Sequence, residues 1–163
     1  MELFYKLSYH RMIDHYLPKL IQTVDMLTIQ NLWQEEKGIN SIGGIILHIC
    51  EHIKRNTERY ANPNIKYNEG IEGYFPSLDI EPNILSLKVQ EVFNNWKKEF
   101  EKVITENNNI EIDAYNLFHL VEHTGYHLGQ IVDRTKRITK KPFNFCQNGL
   151  NEKNLRTMIE NSL

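Results

Sequence analysis

Apolar residues recur every three or four positions along most of this chain, which is the spacing of helices that bury one face. Three long segments follow this pattern. They run from Asn40 or Ser41 to about Tyr60, from about Pro82 to Ile104, and from near Asp113 to about Arg137. Asn40 and Ser41 are both good N-caps, and proline is tolerated in the first turn of a helix. The pattern therefore predicts a largely helical protein.

Shorter helices are predicted at both ends of the chain. The first starts near Glu2 and is bent or stopped around Pro18, after which it can resume as far as Leu27. The last spans Asn151 to Ser162. Because four substantial helices are accompanied by few strand signals, we expect an all-α bundle that forms one domain over residues 1–163.

Two connecting segments differ from the helical pattern. The stretch KYNEGIEGYFPSLDI, residues 66–80, has too many glycines and aromatics for a helix, and it predicts a small hairpin or an irregular flap. A second polar, turn-rich stretch spans Glu106 to Asn109.

Composition narrows the possible partners. The 163 residues are 40% hydrophobic and 25% charged, with a net charge of −2, so neither nucleic acid nor an anionic membrane is an expected partner. The two cysteines form no CxxC pair, which favours a reducing compartment. The N-terminus lacks the apolar core of a signal peptide, and no apolar run approaches the roughly 18 residues of a membrane span. We expect a cytoplasmic protein.

The histidines border the apolar faces of two predicted helices. His48 lies at the edge of an isoleucine-rich face, and His123 and His127 lie together at the edge of another. Residues i and i+4 are separated by about 6 Å of helical rise, so two such rings can reach one ion. Catalytic zinc sites commonly use three protein ligands and leave a position open. His48 can supply the third ligand if the two edges meet.

A simpler interpretation needs no metal. His48 would then be a core histidine with satisfied hydrogen bonds, and His123 and His127 would be polar residues at the rim. Gly125 and Gly129 weigh modestly against a generic helix, because each costs about 1 kcal/mol relative to alanine in a helix interior. Close approach of a ligand or of a neighbouring helix would explain both glycines.

Two motifs resemble those of the DinB-like superfamily, which includes the YfiT-like metal-dependent hydrolases. They are NSIGGIILHICEHI, residues 40–53, and HLVEHTGYHLGQI, residues 119–131, with its HxxxHxxQ spacing. The resemblance implies a four-helix bundle with a short additional C-terminal helix. It also implies a divalent transition metal, zinc or nickel in the first instance, held by His48, His123 and His127.

Other histidines depart from the three-ligand pattern. His52 can replace His48 as a ligand if the helix is rotated, or it can lie just outside the ligand set. His119 is expected at the rim, and His10 and His15 at the surface. Gln130, Tyr126 and Asn116 are candidates for orienting a ligand or binding substrate, since ligating histidines normally pass their second N–H to an acceptor.

The resemblance also indicates a reaction. Some family members transfer low-molecular-weight thiols such as bacillithiol or mycothiol onto electrophiles, which implies a small-molecule substrate and a detoxifying thiol S-transferase. The alternatives are a metal-dependent hydrolase and a non-catalytic, stress-associated bundle that binds metal or a small ligand. Apolar surface left over on the first helix and on the Asp113–Arg137 helix suggests a homodimer.

Overall fold

The computed structural model describes residues 2–105 and 112–162, so the predicted turn at 106–109 lies outside the described residues. The described part is helical, with one isolated bridge between Glu36 and Ile39 and no strand. Its α-helices are α1 (Glu2–His10), α2 (Leu17–Val24), α3 (Ile29–Trp33), α4 (Ile42–Ala61), α5 (Pro82–Thr105), α6 (Ala114–Thr139) and α7 (Glu152–Asn161). The all-α prediction is confirmed for these residues.

Helices α4, α6 and α7 each begin directly after a capping residue. The Ser41 hydroxyl accepts a hydrogen bond from the Gly44 amide at 3.0 Å, so α4 starts at the second of its two predicted caps. Asp113 caps α6 and Asn151 caps α7 in the same way, each through the amide three residues further on. Each cap satisfies an N–H group that the helix itself leaves without a partner. The predicted ends of α4, α5, α6 and α7 agree with the observed ends within one or two residues.

The interruption expected near Pro18 takes the form of a π-helical turn. Residues Arg11–Tyr16 form this wider turn between α1 and α2, and Pro18 lies in the first turn of α2. Proline has no N–H and its ring crowds the preceding turn, so a local change of helix type accommodates it. The helix then resumes only to Val24, short of the predicted Leu27.

Two segments were less well predicted. The short helix α3 was missed; Thr28 starts it in a capping box with Asn31, and five residues are too few to show a helical period. Residues 66–80 form an irregular segment with one 3₁₀ turn at Ile71–Gly73, so the flap is confirmed and the hairpin is wrong. We call residues 66–80 the flap.

Helix α4 packs against both α5 and α6 and places the core between them. Its isoleucines Ile42, Ile46, Ile49 and Ile53 are fully buried. Trp96 of α5 is also fully buried, and its indole N–H donates to Asn56 of α4 at 2.9 Å. No helix of the described ranges is long and apolar enough to cross a membrane.

The two glycines of α6 have different surroundings. A Cβ added at Gly125 would lie 2.6 Å from the Tyr16 hydroxyl oxygen, so the close approach expected there is made by Tyr16. A Cβ added at Gly129 would meet nothing within 4 Å. Packing therefore explains Gly125, whereas no contact among the described residues explains Gly129.

Candidate metal centre

Three imidazoles meet where α4 packs against α6. His48 is 2% exposed and His127 is 8% exposed, while His123 is half-buried between them. Because the isoleucines bury the neighbouring face of α4, His48 lies on the side of α4 that faces α6. The four-residue spacing of His123 and His127 places both of their rings on one side of α6. The two apolar edges identified in the sequence therefore meet.

The ring nitrogens of these histidines converge. The Nε2 atom of His123 lies 3.1 Å from Nε2 of His48 and 3.2 Å from Nε2 of His127. The ring centroids of His48 and His127 are 5.0 Å apart. The structure thus brings together all three predicted ligands.

Outer hydrogen bonds determine which nitrogen of two rings carries the proton. The backbone carbonyl of Tyr74 lies 3.2 Å from His48 Nδ1, and the Gln130 side-chain oxygen lies 2.8 Å from His127 Nδ1. Oxygen acceptors require an N–H at each Nδ1, and a neutral imidazole has only one N–H. The Nε2 atoms of His48 and His127 therefore present lone pairs to His123.

His123 cannot satisfy both of these lone pairs. Its Nε2 carries at most one proton, so it can donate to one neighbour only. Its Nδ1 is buried without a hydrogen-bond partner. A buried polar atom without a partner costs about 1–3 kcal/mol, which the fold keeps only where something compensates. Where the three Nε2 atoms meet, one proton therefore faces two lone pairs, and a positive charge at that point would compensate them.

Burial favours the neutral form of His48 and His123. It is the first cause that lowers the pKa of His123 to about 3, followed by the neighbouring histidines His127 and His48. Burial, followed by His127, also lowers the pKa of His48 below its usual range. Neutral imidazole is the form that binds metal ions, so His48 and His123 need no further deprotonation at neutral pH.

His52 extends the cluster along α4. His48, His52 and His123 each offer a nitrogen within 4.8 Å of the others, close enough to hold a metal ion. The rings of His52 and His123 lie 3.9 Å apart, and burial, followed by His123, lowers the pKa of His52 to about 3. Two overlapping triplets therefore share His48 and His123 and differ in whether His52 or His127 completes them.

His119 lies at the margin of the cluster. It is exposed, and its ring is 5.5 Å from that of His123 and 5.9 Å from that of His52. This is the rim position expected from the sequence.

The flap covers the cluster on one side. The Phe75 ring stacks on His48 with centroids 4.4 Å apart, and the neighbouring Tyr74 supplies the carbonyl that holds His48 Nδ1. Neither contact is predicted by the sequence. The only available signal was the density of aromatic residues in a loop, which does not indicate where that loop packs.

A cleft of about 410 Å³ opens beside His127. Phe75, Tyr126, Gln130 and Arg134 contribute to its wall. Tyr126 is 64% exposed and its ring lies 5.1 Å from that of His127, so it faces the cleft and solvent. Small molecules commonly bind in concave sites with a few convergent polar groups, and this cleft has that character.

The remaining candidates lie away from the cluster. Asn116 donates to the carboxylate of Asp113, so its side chain takes part in capping α6. Cys50 is buried against α5, and burial raises the pKa of its thiol to about 12. His15 was expected at the surface, and this is wrong, because it is only 5% exposed and has hydrogen-bond contacts to Arg11 and Lys19.

Comparison of the chain with protein-family models, with curated proteins and with solved structures gives no match. The case for a metal centre therefore rests on the geometry of the chain's own side chains.

Proposed function

We propose that this protein is a divalent-metal-dependent enzyme of the DinB-like superfamily, and most specifically a thiol S-transferase. One observation carries the proposal: the lone pairs of two buried imidazoles, fixed by outer hydrogen bonds, point at a third imidazole that can satisfy only one of them. A divalent cation at that point would compensate all three nitrogens at once.

We assign the ligands as His48, His123 and His127. In a tetrahedral zinc site with bonds of about 2.0–2.1 Å, ligand nitrogens lie roughly 3.3–3.4 Å apart. The Nε2 atom of His123 is 3.1 and 3.2 Å from those of His48 and His127, which is close to that value. His127 also has the orienting partner that ligating histidines normally have, whereas the ring nitrogens of His52 have no hydrogen bond among the described contacts. This favours His127 over His52.

The chain's other residues then have distinct roles. When bound, such an ion lowers the pKa of a coordinating thiol or water, which supplies the nucleophile. Tyr74 and Gln130 hold the proton on the outer nitrogens of His48 and His127, so that the inner nitrogens stay free. Phe75 stacks on His48 and limits access of water from the flap side. The cleft lined by Tyr126 and Arg134 would receive the small-molecule substrate.

The helical arrangement is compatible with the family's four-helix bundle. In this proposal α1 and α2 together form the first helix of the bundle, α4, α5 and α6 form the other three, and α7 is the additional C-terminal helix. The packing of α2 against α5 and α6, and of α4 against the same two helices, supports this arrangement.

A second copy of the chain is the partner we propose. Leu3 and Leu7 on α1 are 51% and 41% exposed, and Tyr115 and Phe118 on α6 are 79% and 55% exposed. Large apolar side chains on two helices are a suitable surface for a homodimer. Light scattering coupled to size-exclusion chromatography should give twice the chain mass; a monomer at all practical concentrations would contradict it.

Metal content tests the site. Elemental analysis of untagged protein should find close to one transition metal per chain in the wild type, and much less in His123→Ala. The matched control is His119→Ala, which removes a neighbouring exposed imidazole on the same helix and should retain the metal. Comparison of His127→Ala with His52→Ala separates the two triplets, since only the former should lose metal.

Thiol consumption tests the reaction. Metal-loaded protein should accelerate the loss of a low-molecular-weight thiol in the presence of iodoacetamide, and a chelator should abolish the acceleration. If metal binds but no thiol shows a metal-dependent rate, the protein is better described as a metal-binding bundle. A metal-dependent cleavage of ester or amide substrates would instead indicate a hydrolase.

A further inference from the structure

The cleft beside His127 contains an arginine that no carboxylate of the described residues neutralises. Arg134 lies in the wall of this cleft, about two helical turns after His127 and on the same side of α6. Asp133 is the acidic residue of the same wall, but it pairs with Arg137 at 2.7 Å. In the described part of the chain, the one hydrogen bond of Arg134 goes to the backbone oxygen of Asn40.

The contact with Asn40 holds the guanidinium in a way that suits an anion. Arg134 donates to Asn40 through Nη1, so the N–H groups on Nε and Nη2 have no acceptor among the described residues. These two N–H groups are parallel, and this fork matches the two oxygens of a carboxylate. Among the described residues that line the cleft, Arg134 is the one basic side chain. A single positive charge suits a carboxylate better than a phosphate dianion.

Apolar side chains also line the cleft. Ile39 is 48% exposed, Ile45 is 6% exposed, and Phe75 of the flap belongs to the same wall. The cleft therefore combines an apolar surface with two polar positions, one at His127 and one at Arg134. These two residues are about 10 Å apart along the helix axis, since each residue adds about 1.5 Å. A ligand that contacts both needs an apolar spacer of several carbon atoms.

We propose that Arg134 selects substrates that carry a carboxylate. The substrate class is then a small thiol whose carboxylate is separated from the sulfur by about five carbon atoms, which suits the distance along the helix. The carboxylate binds the Nε and Nη2 edge of Arg134, the spacer covers Ile39 and Phe75, and the sulfur lies beside His127. This inference rests on the thiol S-transferase proposed above, and it makes Arg134 a specificity-determining residue.

A matched pair of thiols tests the role of the carboxylate. 6-Mercaptohexanoate and 6-mercaptohexanol have the same number of carbon atoms and differ in the charged end. Full-length metal-free protein is titrated with each thiol, and binding is followed by NMR chemical shifts. The carboxylate thiol should bind about tenfold more tightly, which is within the net contribution of hydrogen bonds to a charged group. Equal affinities, or no saturable binding of the carboxylate thiol, would overturn the proposal.

Variants of two basic residues locate the preference. Arg134→Gln should bind both thiols with equal affinity. Arg134→Lys keeps a positive charge but not the parallel N–H groups, so its preference for the carboxylate should be smaller than that of the wild type. The matched control is Lys136→Gln, which removes the same charge from an exposed position on α6 that does not line the cleft. The control should keep the full preference. Circular dichroism identifies folded samples, and an unchanged preference in either folded Arg134 variant would overturn the proposal.

Addition of zinc separates this inference from the proposed function. If the sulfur binds at the three-histidine site, both thiols should bind more tightly to the metal-loaded protein. A carboxylate preference without any gain in affinity on adding zinc would contradict the transferase and support Arg134 as a carboxylate site. A gain in affinity without a carboxylate preference would support the thiol site and overturn the role of Arg134.

Discussion

Gln130 offers a sharp test of how the candidate metal centre is organised. Its side-chain oxygen lies 2.8 Å from His127 Nδ1 and holds the proton there. Gln130→Ala removes the acceptor, and the His127 proton is then free to move to Nε2. That change occupies the lone pair on which metal binding depends.

The expected loss in affinity is moderate. Substitution of the residues that orient metal ligands typically weakens binding by about 10–100-fold. This corresponds to about 1.4–2.7 kcal/mol of binding free energy. The unfolding free energy of the metal-free protein should fall by less than this, because a single hydrogen bond contributes only about 0.5–1.5 kcal/mol to stability.

The assay is a competition titration of zinc or nickel between the protein and a chromophoric chelator. Gln130→Glu is the variant to compare with Gln130→Ala. A carboxylate also accepts a hydrogen bond from Nδ1–H of His127, so this variant should preserve the affinity for the metal. Asn116→Ala is the control on the same helix, because Asn116 donates to Asp113 and has no role at the metal. Equal affinities for Gln130→Ala and Gln130→Glu would refute the assigned role of the hydrogen bond.

Three further predictions follow from the packing and the charges. Gly125→Ala and Gly129→Ala gain the same helix propensity, but only the former places a Cβ 2.6 Å from the Tyr16 hydroxyl oxygen, so that side chain has to shift. Urea unfolding should therefore find Gly125→Ala less stable than Gly129→Ala by about 1 kcal/mol. Burial lowers the pKa of His52 to about 3. Below about pH 6.5, the unfolded chain therefore binds a proton on His52 that the folded chain does not bind. Metal-free protein should therefore lose stability as the pH falls from about 6.5 toward 3, and His52→Gln should show a shallower loss in thermal unfolding. Trp96→Phe leaves the buried Asn56 oxygen without its donor and should destabilise the fold by roughly 2–4 kcal/mol in the same urea assay; a loss under about 0.5 kcal/mol would contradict the buried hydrogen bond.

The sequence predicts the long helices well because their signals are local. Ser41, Asp113 and Asn151 each cap a helix through an amide three residues away, and the apolar periodicity that follows is visible without knowledge of the fold. The same periodicity places His48, His123 and His127 at the edges of two faces, and those edges do meet.

The contacts that orient the site depend on parts of the chain that are distant in sequence. Tyr74 and Phe75 reach His48 from the flap, whose course is not determined by any local pattern. His15 was expected at the surface because no motif marks it, yet Arg11 and Lys19 enclose it through the π-helical turn and α2. The choice between His52 and His127 as the third ligand also depends on side-chain directions that a helical wheel resolves only coarsely.

Anomalous diffraction from crystals grown with zinc or nickel tests the central claim most directly. We expect one peak per chain, within about 2.0–2.1 Å of the Nε2 atoms of His48, His123 and His127 for zinc. A peak bound by His52 in place of His127 would contradict the ligand assignment. The absence of any peak between α4 and α6 would contradict the metal centre itself.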